Sequence, residues 1–467
     1  MTSREVIIVG GGISGLTAAY ELCKQGGFAV TVLEGEDSPG GQARAFVLDG
    51  DTVEHGSHAF FGYYDTSLKL IDELRADAEL AATMPGLTTI SGWTLVDPYG
   101  RRAFLTQASW LPTILKAAPS ILGVPWFNFG DKLRALWAAY QLVTTPFEKF
   151  NELDRYTSFD YGKKIGYSDI GIWTWNSASL GLTNLFVEEQ SAAILCGKHK
   201  VLVGQDTGLS YKLPNGNLSK LIAEPIKKKI EKLGGRVVLS STATAVSRAN
   251  GAKRTTVQIG ADRRMDADYV ICALQPWDAA KLLPWAQGDW RTLAPVSPVI
   301  TIVLQLSGQL STSSDGRELG LSREFWNFSV VTDLSRFWPE YKGNKSVLRV
   351  EVGHADLLPR GIGITDEFLL DLIKHDLARL FPESEAMTIE WYRMHRESRQ
   401  LYVAWTKGQF AKKPTQRDVG QGVFLAGDWT TKGTIGMEAA CNSGIEAANW
   451  ILSSEKRATI PFRDVPL

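Results

Sequence analysis

The stretch VIIVGGGISGLTAAYEL, residues 6–22, decides the fold of this chain. Four apolar residues lead into three glycines, and the residues that follow place their apolar side chains on one helical face. Gly26 and Gly27 end the helix, and a second apolar strand follows at Ala29–Leu33. This order of strand, helix and strand predicts half of a parallel, doubly wound sheet, so the expected fold class is α/β.

Three glycines in this stretch have the spacing of a dinucleotide-binding turn. Gly10 permits a tight turn, Gly12 lets the backbone approach a pyrophosphate, and Gly15 allows the helix to pack closely on the strand. The helix begins at Ile13 and Ser14, where its free N–H groups and positive dipole end attract phosphate. The pattern predicts a Rossmann-like, dinucleotide-binding domain. An ordinary glycine turn in a parallel sheet is the alternative.

The sequence EGEDSPGGQARAF, which begins at Glu34, narrows the type of dinucleotide. A carboxylate at the end of the second strand can accept both hydroxyls of an unphosphorylated ribose. With Gly40, Gly41 and Arg44 close behind it, the chain resembles the flavin amine oxidase and phytoene desaturase superfamily, whose members bind FAD. The resemblance implies a second loop over the cofactor, with Arg44 near the pyrophosphate and Gln42 where arginine or lysine is usual. A solvated loop is the alternative for Arg44.

The C-terminal stretch GDWTTKGTIGMEAACNSGIEAANWIL supplies the expected second half of the site. By resemblance, Gly427 and Asp428 contact the ribityl and pyrophosphate region, and the backbone of Met437 and Glu438 meets the flavin. Gly436 stands where amine oxidases of the superfamily usually carry an aromatic residue that helps to cage the amine. The two ends of the chain are therefore expected to bind opposite halves of one FAD.

Two internal stretches extend the resemblance. EHGSHAFFGYYDTSLKLIDEL places Gly56, Ser57 and His58 beside the cofactor, and STATAVSR places Val246 beside the adenine. Together with YVICALQPWDAAKLLP, they bring the chain nearest to the carotenoid desaturases and hydroxysqualene dehydroxylases. His58 is a candidate for proton transfer, and a structural histidine is the alternative.

The resemblance implies an FAD-dependent oxidoreductase that transfers hydride to flavin N5 from a hydrophobic, isoprenoid or carotenoid-like substrate. Desaturation, isomerisation and dehydroxylation all remain open. Amine oxidases of the superfamily carry a lysine near N5, whereas the strand VITIVLQLSG has Gln305. An amine, amino-acid or other small-molecule oxidase is the alternative, and a non-catalytic protein stabilised by FAD is a third. We expect non-covalent FAD, because no cysteine or histidine has a convincing flavin-linking context.

At 467 residues the chain is too long for one compact core, so at least two domains are expected. A discontinuous FAD domain is predicted from residues 1–75, 205–285 and 412–467. An inserted α+β substrate domain is predicted from residues 76–204 and 286–411. The active site is expected where the two domains meet.

Composition excludes several classes of function. The net charge of −1 gives no indication of nucleic-acid binding, and the four scattered cysteines indicate free thiols in a reducing compartment. No metal-type spacing of cysteine or histidine is found, so no metal site is expected. No leader sequence and no membrane span are expected. We therefore expect a cytoplasmic protein, with peripheral membrane contact and the oligomeric state left open.

Two apolar segments bear on membrane contact. The segment FGDKLRALWAAYQLV predicts an amphipathic helix with Asp131 as its N-cap. Its apolar stripe consists of Leu133, Leu136, Trp137, Tyr140 and Val143. Packing of this stripe into the protein and contact with a membrane are the two alternatives. The apolar segment 109–127 is interrupted by three prolines, so it can line a tunnel or contact a bilayer but cannot form one spanning helix.

Overall fold

The computed structural model describes residues 3–108, 110–112, 115–204, 209–249, 252–294, 298–311, 318–398, 405–414, 417–432 and 436–462. The strands are β1 (Arg4–Val9), β2 (Phe28–Leu33), β3 (Ala45–Leu48), β4 (Asp51–Glu54), β5 (Phe60–Phe61), β6 (Leu87–Ser91), β7 (Trp93–Val96), β8 (Arg102–Leu105), β9 (Ser210–Pro214), β10 (Arg236–Val238), β11 (Ala243–Ser247), β12 (Thr255–Ile259), β13 (Arg263–Ala267), β14 (Tyr269–Cys272), β15 (Val299–Leu306), β16 (Leu319–Leu321), β17 (Val330–Asp333), β18 (Val347–Val352), β19 (Ile389–Glu397) and β20 (Val423–Leu425). The α-helices are α1 (Ile13–Gln25), α2 (Asp65–Arg75), α3 (Ala78–Ala81), α4 (Ala118–Leu122), α5 (Phe129–Thr144), α6 (Phe150–Leu153), α7 (Ser158–Lys164), α8 (Asp169–Thr183), α9 (Ala192–Leu202), α10 (Glu224–Lys232), α11 (Pro276–Leu282), α12 (Asp366–Leu380) and α13 (Gly436–Ser454).

A five-stranded parallel sheet joins the two ends of the chain. Its strand order is β10-β2-β1-β14-β20, and every neighbouring pair is parallel. The last strand of the chain therefore lies two places from the first, with β14 between them. The strands are apolar and largely buried, as parallel strands covered on both faces must be. The predicted α/β fold is confirmed.

Helices α1 and α13 pack against each other beside this sheet. A side chain at Gly444 would place its Cβ 2.4 Å from the carbonyl oxygen of Ser14, so only glycine permits this close approach. The predicted bounds of α1 match the structure, because Gly26 ends the helix with φ of 66°. The packing of α13 on α1 brings the C-terminal helix to the same region as the glycine turn.

A second, seven-stranded sheet has the order β19-β15-β18-β17-β16-β7-β8 and is antiparallel except between β16 and β7. Its strands come from residues 93–105 and 299–397, whereas the parallel sheet uses the three segments predicted for FAD binding. We therefore propose the division into an FAD domain and a substrate domain that was predicted from the sequence. One small sheet, β5-β9-β6, pairs strands from both sides of the proposed boundary.

Helix α5 differs from the sequence prediction in two respects. Its N-cap is Asn128, which forms a capping box with Asp131 at the third helical position, so Asp131 is not the cap. Most of the apolar stripe is not packed into the protein, since Leu133, Trp137 and Tyr140 are at least half exposed. Leu136 and Val143 are half-buried, and Val143 packs against the core. The buried face consists of the small residues Ala135, Ala138 and Ala139 together with Leu142.

The remaining features concern membranes and thiols. No described helix is both long and apolar enough to cross a bilayer. Within the segment 109–127 the structure has the short helix α4, while residues 109, 113 and 114 lie outside the described part. All four cysteines are free and buried.

Candidate active site

A cavity of about 460 Å³ lies where the carboxyl ends of the parallel strands meet the seven-stranded sheet. This volume is within the range of about 300–1,000 Å³ that is usual for ligand sites. Most residues predicted from the sequence to bind cofactor line it. They are Gly10, Gly12, Ile13, Ser14, Glu34, Gly40, Gly41, Gln42, Arg44, Ser57, His58, Gly427, Asp428, Gly436 and Met437.

The glycine turn shapes one end of the cavity. Gly10 has φ of 107°, a conformation that favours glycine, and Gly12 begins α1 without a side-chain cap. The first N–H groups of α1 are therefore free to meet an anion. The carboxylate of Glu34 accepts hydrogen bonds from the N–H groups of Gly11 at 2.6 Å and Glu36 at 2.9 Å. These contacts fix the carboxylate at the edge of the turn.

The second glycine loop lies directly on the first. The N–H of Gly40 donates to the carbonyl oxygen of Gly11 at 2.8 Å, and Gly12 and Gly40 form an isolated parallel bridge. Arg44 forms an ion pair with Glu36 at 2.8 Å, and its guanidinium stacks on the ring of Phe46. The cation is thus held at the cavity wall, with only 17% of its side chain exposed. Its contact with the pyrophosphate stays a prediction.

The C-terminal loop forms the other end of the cavity. The N–H of Gly427 donates to Ser443 Oγ at 3.0 Å, and the indole of Trp429 donates to the carbonyl oxygen of Leu274 at 3.1 Å. These bonds attach the loop to α13 and to the end of β14. Burial raises the pKa of Asp428 to about 6, although the positive charge of Lys413 opposes the shift. Asp428 is therefore placed to accept a hydrogen bond from a hydroxyl-bearing ligand.

Two helix N-termini, those of α1 and α13, meet this single cavity. A model of the flavin containing amine oxidoreductase family matches residues 13–452 of the chain.

The chain belongs to the flavin containing amine oxidoreductase family.

It is an FAD-dependent oxidoreductase, and its relatives cover nearly the whole chain. It is 24% identical to a probable zeta-carotene desaturase of Synechococcus elongatus, in an alignment covering 96% of this chain and 99% of that protein. It is 25% identical to a 15-cis-phytoene desaturase of Solanum lycopersicum, covering 94% and 76% of the two chains.

Solved structures show the same fold. A putative protoporphyrinogen oxidase from Exiguobacterium has a TM-score of 0.72 at 18% identity, with 97% of this chain and 100% of that chain covered. Cyclohexylamine oxidase from Brevibacterium oxydans has a TM-score of 0.70 at 17% identity, with the same coverage. At such low identities, the likeness establishes the fold of this flavin containing amine oxidoreductase and nothing about its substrate.

The residues present fit a flavin dinucleotide. A Cβ built on Gly12 would meet only Gly41 Cα, at 3.9 Å, so the space above the turn is open for a pyrophosphate. The N-terminus of α13, at Gly436 and Met437, is available at the opposite end, and its positive dipole end suits the negative charge of a reduced flavin ring. The chemistry that flavin supplies when bound is acceptance of a hydride.

Four predicted cofactor residues do not line the cavity. Gly15 lies within α1 and is needed for packing, because its Cβ would lie 2.0 Å from the carbonyl oxygen of Gly10. Gly56 is covered by the carboxylate of Glu351. The other two, Val246 and Glu438, form hydrogen bonds with residues outside the cavity wall.

Val246 is buried in β11, and its carbonyl oxygen accepts a hydrogen bond from the indole of Trp285 at 2.9 Å. The carboxylate of Glu438 accepts from the N–H groups of Thr66 and Ser67 and from the Ser67 hydroxyl, at 2.7–2.8 Å. It therefore joins the start of α13 to the start of α2. Its backbone contact with flavin stays a prediction, as does the adenine contact of Val246.

Gln305 does not lie at the position near flavin N5 where amine oxidases of the superfamily carry a lysine. It lies at the far end of β15, where its amide donates to Glu390 at 2.6 Å, and it does not line the cavity. The glutamine therefore says nothing about the residue near flavin N5. Among the described residues that do line the cavity, however, there is no lysine.

His58 lines the cavity in a neutral form. Burial and the positive charge of Arg349 together lower the pKa of its imidazole to about 4. Such an imidazole binds a proton only weakly at neutral pH, which favours the structural alternative. Its proton-transfer role stays a prediction.

A group of acidic residues in the cavity wall was not predicted from the sequence. We name Glu54, Glu318 and Glu351, together with Arg349 between them, the carboxyl cluster. The guanidinium lies 3.1 Å from Glu54, 3.4 Å from Glu318 and 3.6 Å from Glu351. Of these residues, Glu318 lines the cavity.

A second polar group was also missed. His55, beside the predicted Gly56, lies 3.6 Å from the carboxylate of Glu397 and forms an edge contact with the ring of His395. Burial lowers the pKa of His55 to about 3, with a contribution from His395, so the imidazole is neutral. The sequence separates these partners by about 340 residues, and the pairing of β15 with β19 brings them together. The prediction that the chain has no metal site stays a prediction.

Proposed function

We propose that this flavoenzyme desaturates a carotenoid-like polyene and holds FAD non-covalently. The observation that carries the proposal is the wall of the cavity, which is aromatic and, within its described part, free of lysine. Its aromatic residues are Phe60, Phe61, Tyr64, Trp93, Trp277, Trp405 and Trp429. Flat apolar side chains can orient a flat polyene and exclude water from it. The curated relatives named above are desaturases of such substrates, which supports the choice.

The non-covalent state of FAD is supported by the cysteines. All four are buried, and none is among the described residues that line the cavity, so no thiol is placed to form a bond to flavin. A glycine turn, a carboxylate and two helix ends are sufficient to hold the dinucleotide without a covalent bond. Isomerisation and dehydroxylation of an isoprenoid would also require an apolar wall. Both reactions remain alternatives that the following test can favour over desaturation.

Anaerobic reduction of the bound flavin tests the substrate class. We expect zeta-carotene supplied in lipid vesicles to bleach the flavin absorbance, because its carbon skeleton fits the aromatic wall. Putrescine and cyclohexylamine are expected to leave it unchanged, since the described wall offers no lysine and no amine cage at Gly436. Free FAD with the same compounds is the control. Bleaching by either amine, without bleaching by the polyene, would show that the enzyme is an amine oxidase.

We propose that the enzyme works in the cytoplasm at a membrane surface and contacts lipid through α5. One face of this helix carries Phe129, Leu133, Trp137 and Tyr140, which are 76%, 52%, 59% and 50% exposed. The spacing of these residues places them in a single apolar stripe. A membrane is also where an insoluble polyene would be found, so a lipid-facing helix would bring the enzyme to its substrate.

Vesicle flotation tests the membrane contact. The double change Leu133→Glu and Trp137→Glu is expected to weaken binding at least tenfold, because each buried apolar side chain contributes about 1.5–3 kcal/mol. The thermal midpoint should not change, as both side chains are exposed. Phe368→Glu on α12 is the matched control, since Phe368 is 45% exposed and lies on another helix. Equal flotation of the double variant and the wild type would refute lipid contact through α5.

A further inference from the structure

The carboxyl cluster places three acidic side chains around one guanidinium in a buried wall. Glu54 ends β4, Glu318 precedes β16, and Arg349 and Glu351 lie on β18. Glu54, Arg349 and Glu351 are at most 5% exposed, and the side chain of Glu318 is 17% exposed. Among the described residues, no second cation forms an ion pair with any of the three acids.

This imbalance of charge gives the cluster an affinity for protons. Burial, together with the negative charges of Glu318 and Glu54, raises the pKa of Glu351 to about 7, and Arg349 compensates only in part. The other titratable groups that act on the cluster are the neutral imidazole of His58 and the hydroxyl of Tyr211, near the N–H of Glu318. The negative charge of Glu340 also raises the pKa of Glu54. Since the acids interact strongly, the proton belongs to the cluster rather than to a single residue.

Glu318 connects the cluster to the cavity. Its Oε1 accepts hydrogen bonds from the Ser57 hydroxyl, from Thr332 at 3.1 Å and from Arg349 at 3.4 Å. No donor to its Oε2 is found among the described residues. The side chain is therefore held in one position by three donors while one oxygen remains available to a ligand. Ser57 also holds the carboxyl cluster in place, because its N–H donates to Glu351 and its Oγ accepts from Arg349 at 2.6 Å.

We propose that Glu318 accepts the substrate proton during desaturation and that the carboxyl cluster stores it. This inference rests on the proposed function. One C–H bond of the substrate breaks, and its electron pair leaves as hydride to the flavin, which is the oxidant. The neighbouring C–H bond breaks, its electron pair becomes the new C=C bond, and its proton bonds to a carboxylate oxygen of Glu318. His58 is less suitable as the proton acceptor, because burial and the charge of Arg349 lower the pKa of its imidazole to about 4 and so make it a weak base.

The first test is a pH titration of the FAD-loaded protein by infrared difference spectroscopy without substrate. The wild type is expected to show the carbonyl stretch of a protonated carboxyl group that disappears as pH rises through neutrality. In Glu318→Gln this transition should move at least one pH unit lower, because one negative charge has been removed from the cluster. Glu324→Gln is the matched control, since Glu324 is exposed and lies outside the cavity. Absence of the band in the wild type, or an unshifted transition in Glu318→Gln, would overturn proton storage.

The second test measures flavin reduction by zeta-carotene under anaerobic conditions. Glu318→Gln is expected to slow reduction at least about 100-fold with little change in substrate Kd, as for loss of a general base. Reduction should also lose its pH dependence near neutrality. A rate within threefold of wild type would overturn the role of Glu318 and leave the proposed function intact. If zeta-carotene fails to reduce even the wild-type flavin, the proposed function falls, and the assignment of Glu318 to that reaction falls with it.

Discussion

Replacing Gly12 by valine is expected to weaken FAD binding at least 100-fold while the apoprotein stays folded. Gly12 has an ordinary φ of −70°, and a Cβ there would contact only Gly41 Cα at 3.9 Å, so the protein has room for a side chain. The same side chain would occupy the space above the turn, where we propose that the pyrophosphate binds. Overpacking of about 3 kcal/mol corresponds to about a 100-fold change in Kd. Fluorescence titration of deflavinated protein with FAD measures the loss.

Gly15→Val provides the contrast to this prediction. Its Cβ would lie 2.0 Å from the carbonyl oxygen of Gly10, so we expect it to destabilise the fold itself by about 3 kcal/mol or more. Gly343→Val is the neutral control, since no atom lies within 4 Å of the added Cβ. Normal FAD affinity in Gly12→Val, or unfolding of its apoprotein, would show that the glycine turn does not have the role assigned to it.

Replacing Arg349 by methionine is expected to destabilise the deflavinated protein by about 3–5 kcal/mol at pH 8. The guanidinium is the single cation that pairs with Glu54, Glu318 and Glu351 among the described residues, so its removal leaves buried carboxylates uncompensated. Chemical denaturation with guanidinium chloride measures the free energy of unfolding. Arg263→Met, at an exposed strand arginine, should change it by less than about 0.5 kcal/mol.

The effect of Arg349→Met should depend on pH in a definite direction. Loss of the cation raises the pKa values of Glu54 and Glu351 in the folded state further above the unfolded value of 4.5. Below a pH of about 4.5 the acids are protonated in both the folded and the unfolded state, so Arg349→Met loses little stability. Stability then falls as pH rises, because the folded state binds more protons than the unfolded state. A loss that is smaller at pH 8 than at pH 5, or below about 1 kcal/mol at pH 8, would contradict this account.

The sequence was sufficient for the parts of the molecule that depend on local patterns. Glycine is favoured in only a few backbone conformations, such as tight turns and helix ends. Gly10 and Gly26 therefore marked the end of β1 and the end of α1 correctly. The resemblance predicted that Asp428 and Gly10 share one site, although more than four hundred residues separate them in the sequence. Both line the cavity. The order of strands in the parallel sheet explains why both ends meet there.

Other features depend on which face of an element is covered, and a local pattern does not contain that information. In β18 the alternation VLRVEV is typical of a strand with one solvated face, yet Arg349 and Glu351 lie in a buried wall. In α5 the periodicity showed an amphipathic helix, but the buried face is the one with Ala135 and Ala138. The carboxyl cluster was missed for this reason, and because Glu54 and Arg349 are 295 residues apart.

Hydrogen–deuterium exchange of the apoprotein, with and without FAD, tests most directly whether the two chain ends bind one cofactor. We expect FAD to slow exchange in two segments together: the turn and start of α1 from Gly10, and the C-terminal loop and start of α13 from Gly427. The exposed face of α5 should be unaffected and serves as the internal reference. Slower exchange at the N-terminal turn alone, with the C-terminal loop unchanged at saturating FAD, would contradict the account.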